Sequence, residues 1–475
     1  MVLTGRQLPP AQQNDRRNQK MQKPKEECGV FGVSLNTNEA VGITYNGLLA
    51  LQHRGQEGAG IACVCVEEND IHIKKDLGLV KEVFTTKSIL DMPPSNVAIG
   101  HVRYSTTGFN TRQNVAPFLA DYLTGRLAVA HNGNITNAKE LRVELKKLGI
   151  RFAATTDSEV IAQLIAYYTT TEKRTLSGVK KACEKLEGAC SLVVASGKNK
   201  LIAVRDSNGF RPLCIGKSDS GIAVASESCA LESGGFEFLR DVAPGEIVVI
   251  ENGEIVAEGI QLRDKQAGKG LCIFEFVYFS RPDSIIDGLS VYESRYNMGQ
   301  ILAKEHPVEA DIVCGVPDSG MEAAIGYSAM SGIPLAFGFV KNRYLGRSFI
   351  YPTQTERDAA VKLKLNPLRA NVSGKRVVLV DDSIVRGTTI GKIVKSLKDA
   401  GASEVHIRVS SPPFKYSCGY GTDIDSEENL IANQMSTEEI CQKIGADTLG
   451  YISLEGLIEA CNKCSVEFCT ACFKK

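Results

Sequence analysis

The stretch VVLVDDSIVRGTT, residues 377–389, decides the reading of the second half of the chain. Its first four residues form an unbroken apolar run of the kind that a strand covered on both faces requires. Such a strand delivers Asp381 and Asp382 to its carboxyl end, the edge at which open α/β sheets take their ligands. Ser383 follows, and Arg386, Gly387, Thr388 and Thr389 then turn into a helix starting near Thr389. Backbone amides, two hydroxyls and a helix N-terminus make a phosphate cradle, while the carboxylates accept sugar hydroxyls or a metal's water shell. An acid pair beside a phosphate cradle reads as a site for a phosphorylated sugar. A solvated turn is the plainer reading of two aspartates after a strand, but it leaves the rest of the string without a purpose.

Around this stretch the apolar runs ADIVCGVP (310–317), IPLAFGFV (333–340), KRVVLVDD (375–382) and SEVHIRVS (403–410) read as buried parallel strands with helices between them. The second half is therefore a doubly wound α/β domain. Residues 28 to about 260 read instead as short strands and turns, with helices at 138–148 and 158–170, the latter capped by its opening Ser-Glu. The junction falls at 265–285, around GLCIFEFVYFSRPDS.

A chain of 475 residues has room for two or three domains. Its 55 basic and 55 acidic residues cancel, so no global field recruits nucleic acid or an anionic membrane. No apolar run reaches the length of a membrane span, and residues 1–27 lack the core of a secretion signal. Fifteen cysteines in such a chain suit a reducing, cytoplasmic compartment, with Cys63 and Cys65 as core packing. Residues 1–27, rich in Gln, Asn, Pro and Arg, read as a disordered extension; a basic import helix is the rival, against which LPPAQQND argues.

The 377–389 stretch resembles the phosphoribosyl pyrophosphate signature of type I phosphoribosyltransferases. VPDSG (316–320) resembles their pyrophosphate segment, which places Ser319 near magnesium with Asp381 and Asp382. KNRYLGRSFIYPTQTERDAAVKLKLN (341–366) resembles the catalytic loop of the glutamine phosphoribosylpyrophosphate amidotransferase family, with Lys341 and Arg347 among cations able to cover a leaving pyrophosphate. That family implies a glutaminase beginning with cysteine, and EECGVFG (26–32) resembles its cleavage junction. Removal of residues 1–27 would give Cys28 a free α-amine, whose ordinary pKa of roughly 7.7–8.0 suits a base for the adjacent thiol.

LQHRGQEGAGI (51–61), GHVRYSTTG (100–108), HNGNITN (131–137) and TTDSEV (155–160) resemble the glutaminase pattern. By that resemblance Arg103 takes glutamine's α-carboxylate and Asp157 its α-ammonium, while Asn132 and Gly133 donate to the oxyanion. Thr106 and Arg54 are weaker candidates, Arg54 as a structural residue; His53, His101 and His131 read as structural too. The family implies a four-layer αββα N-terminal-nucleophile glutaminase at 28–262, a type I transferase at 263–455, and a cysteine-rich tail at 456–475. It also implies conversion of glutamine and phosphoribosyl pyrophosphate to 5-phosphoribosylamine, ammonia passed internally past Tyr278 and Phe279, inhibition by purine nucleotides such as AMP and GMP, and a homotetramer.

The tail CNKCSVEFCTACFKK (461–475) offers two metal readings. A four-thiolate zinc site would use Cys461, Cys464, Cys469 and Cys472, although four residues between the pairs is short. One branch of the family implies instead a [4Fe-4S] cluster on Cys272, Cys418, Cys469 and Cys472, leaving Cys461 and Cys464 unexplained. A nucleotide-sensing pseudoenzyme would be expected to lack one of the site residues, and a glucosamine phosphate synthase would need a sugar isomerase domain where the acid-pair strand stands.

Overall fold

The computed structural model describes residues 28–65, 67–68, 70–104, 110–197, 199–262, 270–342, 365–422, 424 and 426–474. In the first half, two antiparallel sheets face one another. The first has seven strands, with Gly29–Leu35 between Gly221–Ala225 and Val97–Arg103, and Gly58–Cys65 beyond. The second has six, with Gly125–Ile135 beside Gly188–Ser196. Val30, Ile99, Ala130 and Val193 meet between the sheets. Helix Ala40–Ala50 covers the outer face of the first, and helices Ala138–Lys147, Asp157–Glu172 and Thr175–Cys183 cover the second. This is the four-layer αββα arrangement. Cys63 and Cys65 are buried, as core residues should be.

The second half is a doubly wound sheet of four parallel strands, Ile312–Gly315, Arg376–Asp381, Glu404–Val409 and Thr448–Tyr451. Alternation along one strand shows both faces covered: Val378 and Val380 pack on the side of helices Val291–Glu305 and Met321–Ser331, while Val377 and Leu379 pack on the side of Thr388–Asp399. Expectation and structure differ at three places. The run 333–340 makes no buried parallel strand; Leu335 forms a single bridge to Val313, Phe337 is exposed, and Phe339–Lys341 pairs antiparallel with Leu365–Pro367. Strand Thr448–Tyr451 escapes a hydropathy reading because it is short and carries Gly450, where a side chain would strike the His306 ring. The cap of helix Asp157–Glu172 is Thr156, whose hydroxyl accepts from the Glu159 N–H, so Asp157 is already helical.

The two halves are locked by buried ion pairs. Arg205 grips Asp287, just past the junction, with two bonds of 2.8 and 2.7 Å. Arg54, fully buried, reaches Glu227 at 2.7 Å in the first half and Glu275 at 2.9 Å in the junction helix Glu275–Phe279. Removing one partner of such a pair costs about 3–5 kcal/mol, because the other charge stays buried.

Beside Arg205 and Asp287, burial pushes the Asp241 carboxyl up to about 7, with the Asp287 charge adding to the rise. A carboxyl whose folded pKa is raised holds its proton where the unfolded chain has lost it. Its contribution to stability is therefore complete below its ordinary pKa and disappears as pH rises to about 7. We expect the thermal midpoint of Asp241→Asn to fall less steeply than that of the parent between about pH 4 and about pH 7, read by calorimetry. Identical slopes would remove the assignment.

Candidate active sites

Cys28 stands at the head of strand Gly29–Leu35 and is buried. Its Sγ lies 3.3 Å from the Tyr104 carbonyl and 3.4 Å from the Tyr104 N–H, and its own carbonyl accepts from Arg54 Nε at 3.0 Å. Arg103, at the end of the neighbouring strand, has Cys28, Glu57 and Asp157 within electrostatic reach. Burial lowers its pKa, and these groups oppose the shift. Across the sandwich, Asn132 is fully buried, and neither atom of its side-chain amide has a hydrogen-bond partner among the described residues. Leaving a buried amide unpaired costs about 1–3 kcal/mol.

Gly133 beside it has φ +138°, and a Cβ there would sit 2.2 Å from the Ala189 carbonyl. Only glycine keeps this backbone. Asp157 fixes the same corner, accepting from Ile135 N at 3.1 Å and Ser158 N at 2.8 Å. The histidines have structural partners: His53 binds Glu227, His131 approaches Ser158 and the Ala189 carbonyl, and burial pushes His101 down to about 3. Thr106 lies outside the described residues.

In the second half Asp381 and Asp382 are fully buried at the carboxyl end of their strand. Ser319 donates to Asp382 at 2.5 Å, and Ser383 donates to the same carboxylate. Ser319 can come this close because Gly320 lets its loop run against the strand: a Cβ there would be 2.3 Å from the Val380 carbonyl. Arg386 precedes Gly387, which has φ +76° and caps helix Thr388–Asp399, leaving Thr388 and Thr389 in its first turn. Lys341 pairs with Asp318 of the same loop. Arg347 lies outside the described residues.

The tail cysteines divide. Cys469 pairs in register with Cys272, and Cys272, Cys418 and Cys469 all lie within electrostatic reach of Cys472. Cys461 packs in the core of the second half beside Ser294, and Cys464 lies within electrostatic reach of Asp287 and Arg205. Among the described residues no three of the first four sulfurs lie within 4.8 Å of one another. Four thiolates around one zinc would be about 3.8 Å apart. Cys65, Glu68 and His72 do come within 4.8 Å, but Glu68 and His72 already bond each other at the surface.

Sequence reasoning missed the Tyr104 backbone, Glu227, Glu275 and Ser280 around Cys28. Glu275 did carry a signal: it is the one charge inside the apolar run CIFEFVYF.

A buried cysteine at a strand head and a buried amide without a partner among the described residues in one half, joined in the same chain to an acid pair before a helix N-terminus, are the parts a glutamine-dependent phosphoribosyl transferase would need. Residues 101–233 match the glutamine amidotransferase domain family and residues 291–420 the phosphoribosyl transferase domain family. The amidophosphoribosyltransferase of Methanocaldococcus jannaschii is 46% identical over 94% of this chain and 96% of its own length, and that of Archaeoglobus fulgidus 47% over the same shares. The solved glutamine phosphoribosylpyrophosphate amidotransferase of B. subtilis, complexed with ADP and GMP, matches with a TM-score of 0.85 at 44% identity, over 94% of this chain and 96% of that one. The chain belongs to the amidophosphoribosyltransferases, enzymes of the first step of purine biosynthesis.

Replacing Gly133 by Ala should remove glutamine-dependent turnover while ammonia-dependent turnover stays within about twofold of the parent, because the clash is confined to the first half. Equal loss of both activities would contradict this.

Proposed function

We propose that the chain makes 5-phosphoribosylamine, glutamate and pyrophosphate from glutamine, phosphoribosyl pyrophosphate and water by two half-reactions in separate domains, 28–262 and 263–455, with 456–475 as a tail. The observation that carries the first is the buried, unpartnered Asn132 amide in the half that also buries Cys28. Removal of residues 1–27 leaves Cys28 N-terminal, and its α-amine takes the thiol proton as sulfur attacks the side-chain amide of glutamine. Arg103 holds the α-carboxylate and Asp157 the α-ammonium. The Asn132 amide and the Gly133 N–H donate to the tetrahedral oxyanion. Ammonia leaves with the proton, and water then cleaves the glutamyl thioester.

In the second half-reaction ammonia displaces pyrophosphate at C1. Asp381 and Asp382 take the ribose hydroxyls, while Ser383, Arg386, Gly387, Thr388 and Thr389 cradle the 5-phosphate. Lys341 and Arg347 supply the positive charge that offsets the leaving pyrophosphate. Ser319, Asp381 and Asp382 are oxygen donors of the hard kind magnesium takes, and that ion, when bound, offsets the leaving group's charge. Ammonia must stay unprotonated to react, which favours a dry route between the sites, with Tyr278 and Phe279 of the junction helix on it.

Cys272, Cys418, Cys469 and Cys472 hold a [4Fe-4S] cluster that staples tail to junction. Purine nucleotides inhibit at or beside the transferase site. The assembly is a cytoplasmic homotetramer.

Cys28→Ala should abolish glutamine use and leave synthesis from high ammonia, whereas Asp382→Asn should slow both; a coupled assay for pyrophosphate reads each. Normal turnover by Asp382→Asn would sink the acid-pair assignment. Anaerobic intact mass with iron analysis should give a chain beginning at Cys28 and about four irons per chain. A full-length chain carrying zinc would overturn both the processing and the cluster.

A further inference from the structure

A series of buried contacts runs from the Cys28 main chain into the transferase half. Arg54 donates through Nε to the Cys28 carbonyl at 3.0 Å and through Nη1 and Nη2 to Glu275 at 2.9 Å each. Ser280 donates to Glu275 at 2.6 Å. The helix bearing Glu275 is gripped from the transferase side by Arg295, whose Nε binds the Phe276 carbonyl at 2.8 Å and whose Nη2 binds the Ser280 carbonyl at 2.7 Å. The third guanidinium nitrogen, Arg295 Nη1, lies 3.9 Å from the carboxylate of Glu322 in the first turn of helix Met321–Ser331, an ion pair without a hydrogen bond. That helix begins just after Ser319, the residue bonded to Asp382.

The links nearest Cys28 are enclosed: Arg54, Glu227 and Glu275 are fully buried and Arg295 nearly so, so water cannot replace a lost partner there, whereas Glu322 and Ser319 at the far end are partly buried. Glu227, the other anchor of Arg54, is itself saturated: it takes His53 at 2.7 Å, the Arg281 N–H at 2.9 Å and the Ser284 hydroxyl at 2.7 Å. Arg54 therefore has no slack, and its aim at the Cys28 carbonyl is set by where Glu275 stands.

We propose that Glu275 and Arg295, which stand outside the glutaminase sandwich, are positioning residues of the glutaminase half-reaction. They act through Arg54 to place the Cys28 main chain. The series makes the alignment of the nucleophile depend on the loop that carries Ser319. This rests on the reading of Cys28 as nucleophile, and Cys28→Ala tests that reading separately.

The experiment uses the processed holoenzyme with Glu275→Gln, Ser280→Ala and Arg295→Lys. Each variant is assayed for glutamine kcat and KM, ammonia-dependent rate, thermal midpoint, and the rate of Cys28 alkylation by a diazoketone analogue of glutamine. Glu275→Gln should lower glutamine kcat and the maximal alkylation rate about tenfold or more, with KM and the ammonia-dependent rate within about threefold of the parent. Arg295→Lys should produce the same split, and Ser280→Ala a weaker one. If Glu275→Gln does not fold, the other two variants decide. Alkylation and kcat unchanged in folded variants would overturn the proposal, as would a parallel fall of both activities with the thermal midpoint, the mark of a merely structural role. Glutamine use surviving in Cys28→Ala would instead remove the reading on which it rests.

Discussion

Arg54 holds the molecule together where its two chemistries meet. One guanidinium, out of contact with water, binds the main chain of Cys28, a carboxylate of the first half and a carboxylate of the junction helix. Burial alone would drive the proton off Arg54 and onto Glu227. The neighbouring charges more than offset this, so the guanidinium stays protonated and Glu227 stays ionised. Such a cluster tolerates one arrangement, because every displaced partner leaves a charge unpaired in a medium that does not solvate it. It fixes the docking of the domains and the start of strand Gly29–Leu35 together.

The sites on either side use opposite strategies. The first keeps its groups sparse: a thiol between the two main-chain groups of Tyr104, an amide with no partner among the described residues, and a glycine that permits close backbone approach. Space and unspent donors suit a charge that exists only as the reaction proceeds. The second concentrates charge, with two buried carboxylates and a serine drawn onto one of them. Carboxylates and a phosphate cradle suit a ligand whose charge is present before reaction.

The sequence was most legible where one local pattern determined one element. VVLV before Asp381 could only be a strand buried on both faces, and it is one, with alternate valines on opposite sides. The glutaminase residues were placed by resemblance, because the strands of Cys28 and Arg103 pair from far apart in sequence while Asn132 stands on the facing sheet and Asp157 on a helix. The apolar run at 333–340 misled because hydropathy cannot tell a central strand from an edge segment that leaves Phe337 exposed. The Arg54 cluster was invisible for a similar reason: its four polar side chains come from positions 54, 227, 275 and 280. Only Glu275, alone among aromatics, announced a buried charge in need of a partner.

In the proposed function, nitrogen released at Cys28 reaches C1 without entering solvent. The direct measurement is turnover of glutamine labelled with 15N in its side-chain amide, in the presence of excess unlabelled ammonium. The contribution of free ammonium, measured in Cys28→Ala, is subtracted. Internal transfer predicts that the remaining phosphoribosylamine, trapped as a stable derivative, carries 15N undiluted. A product whose label has fallen to the ratio in the surrounding ammonium pool would contradict the account.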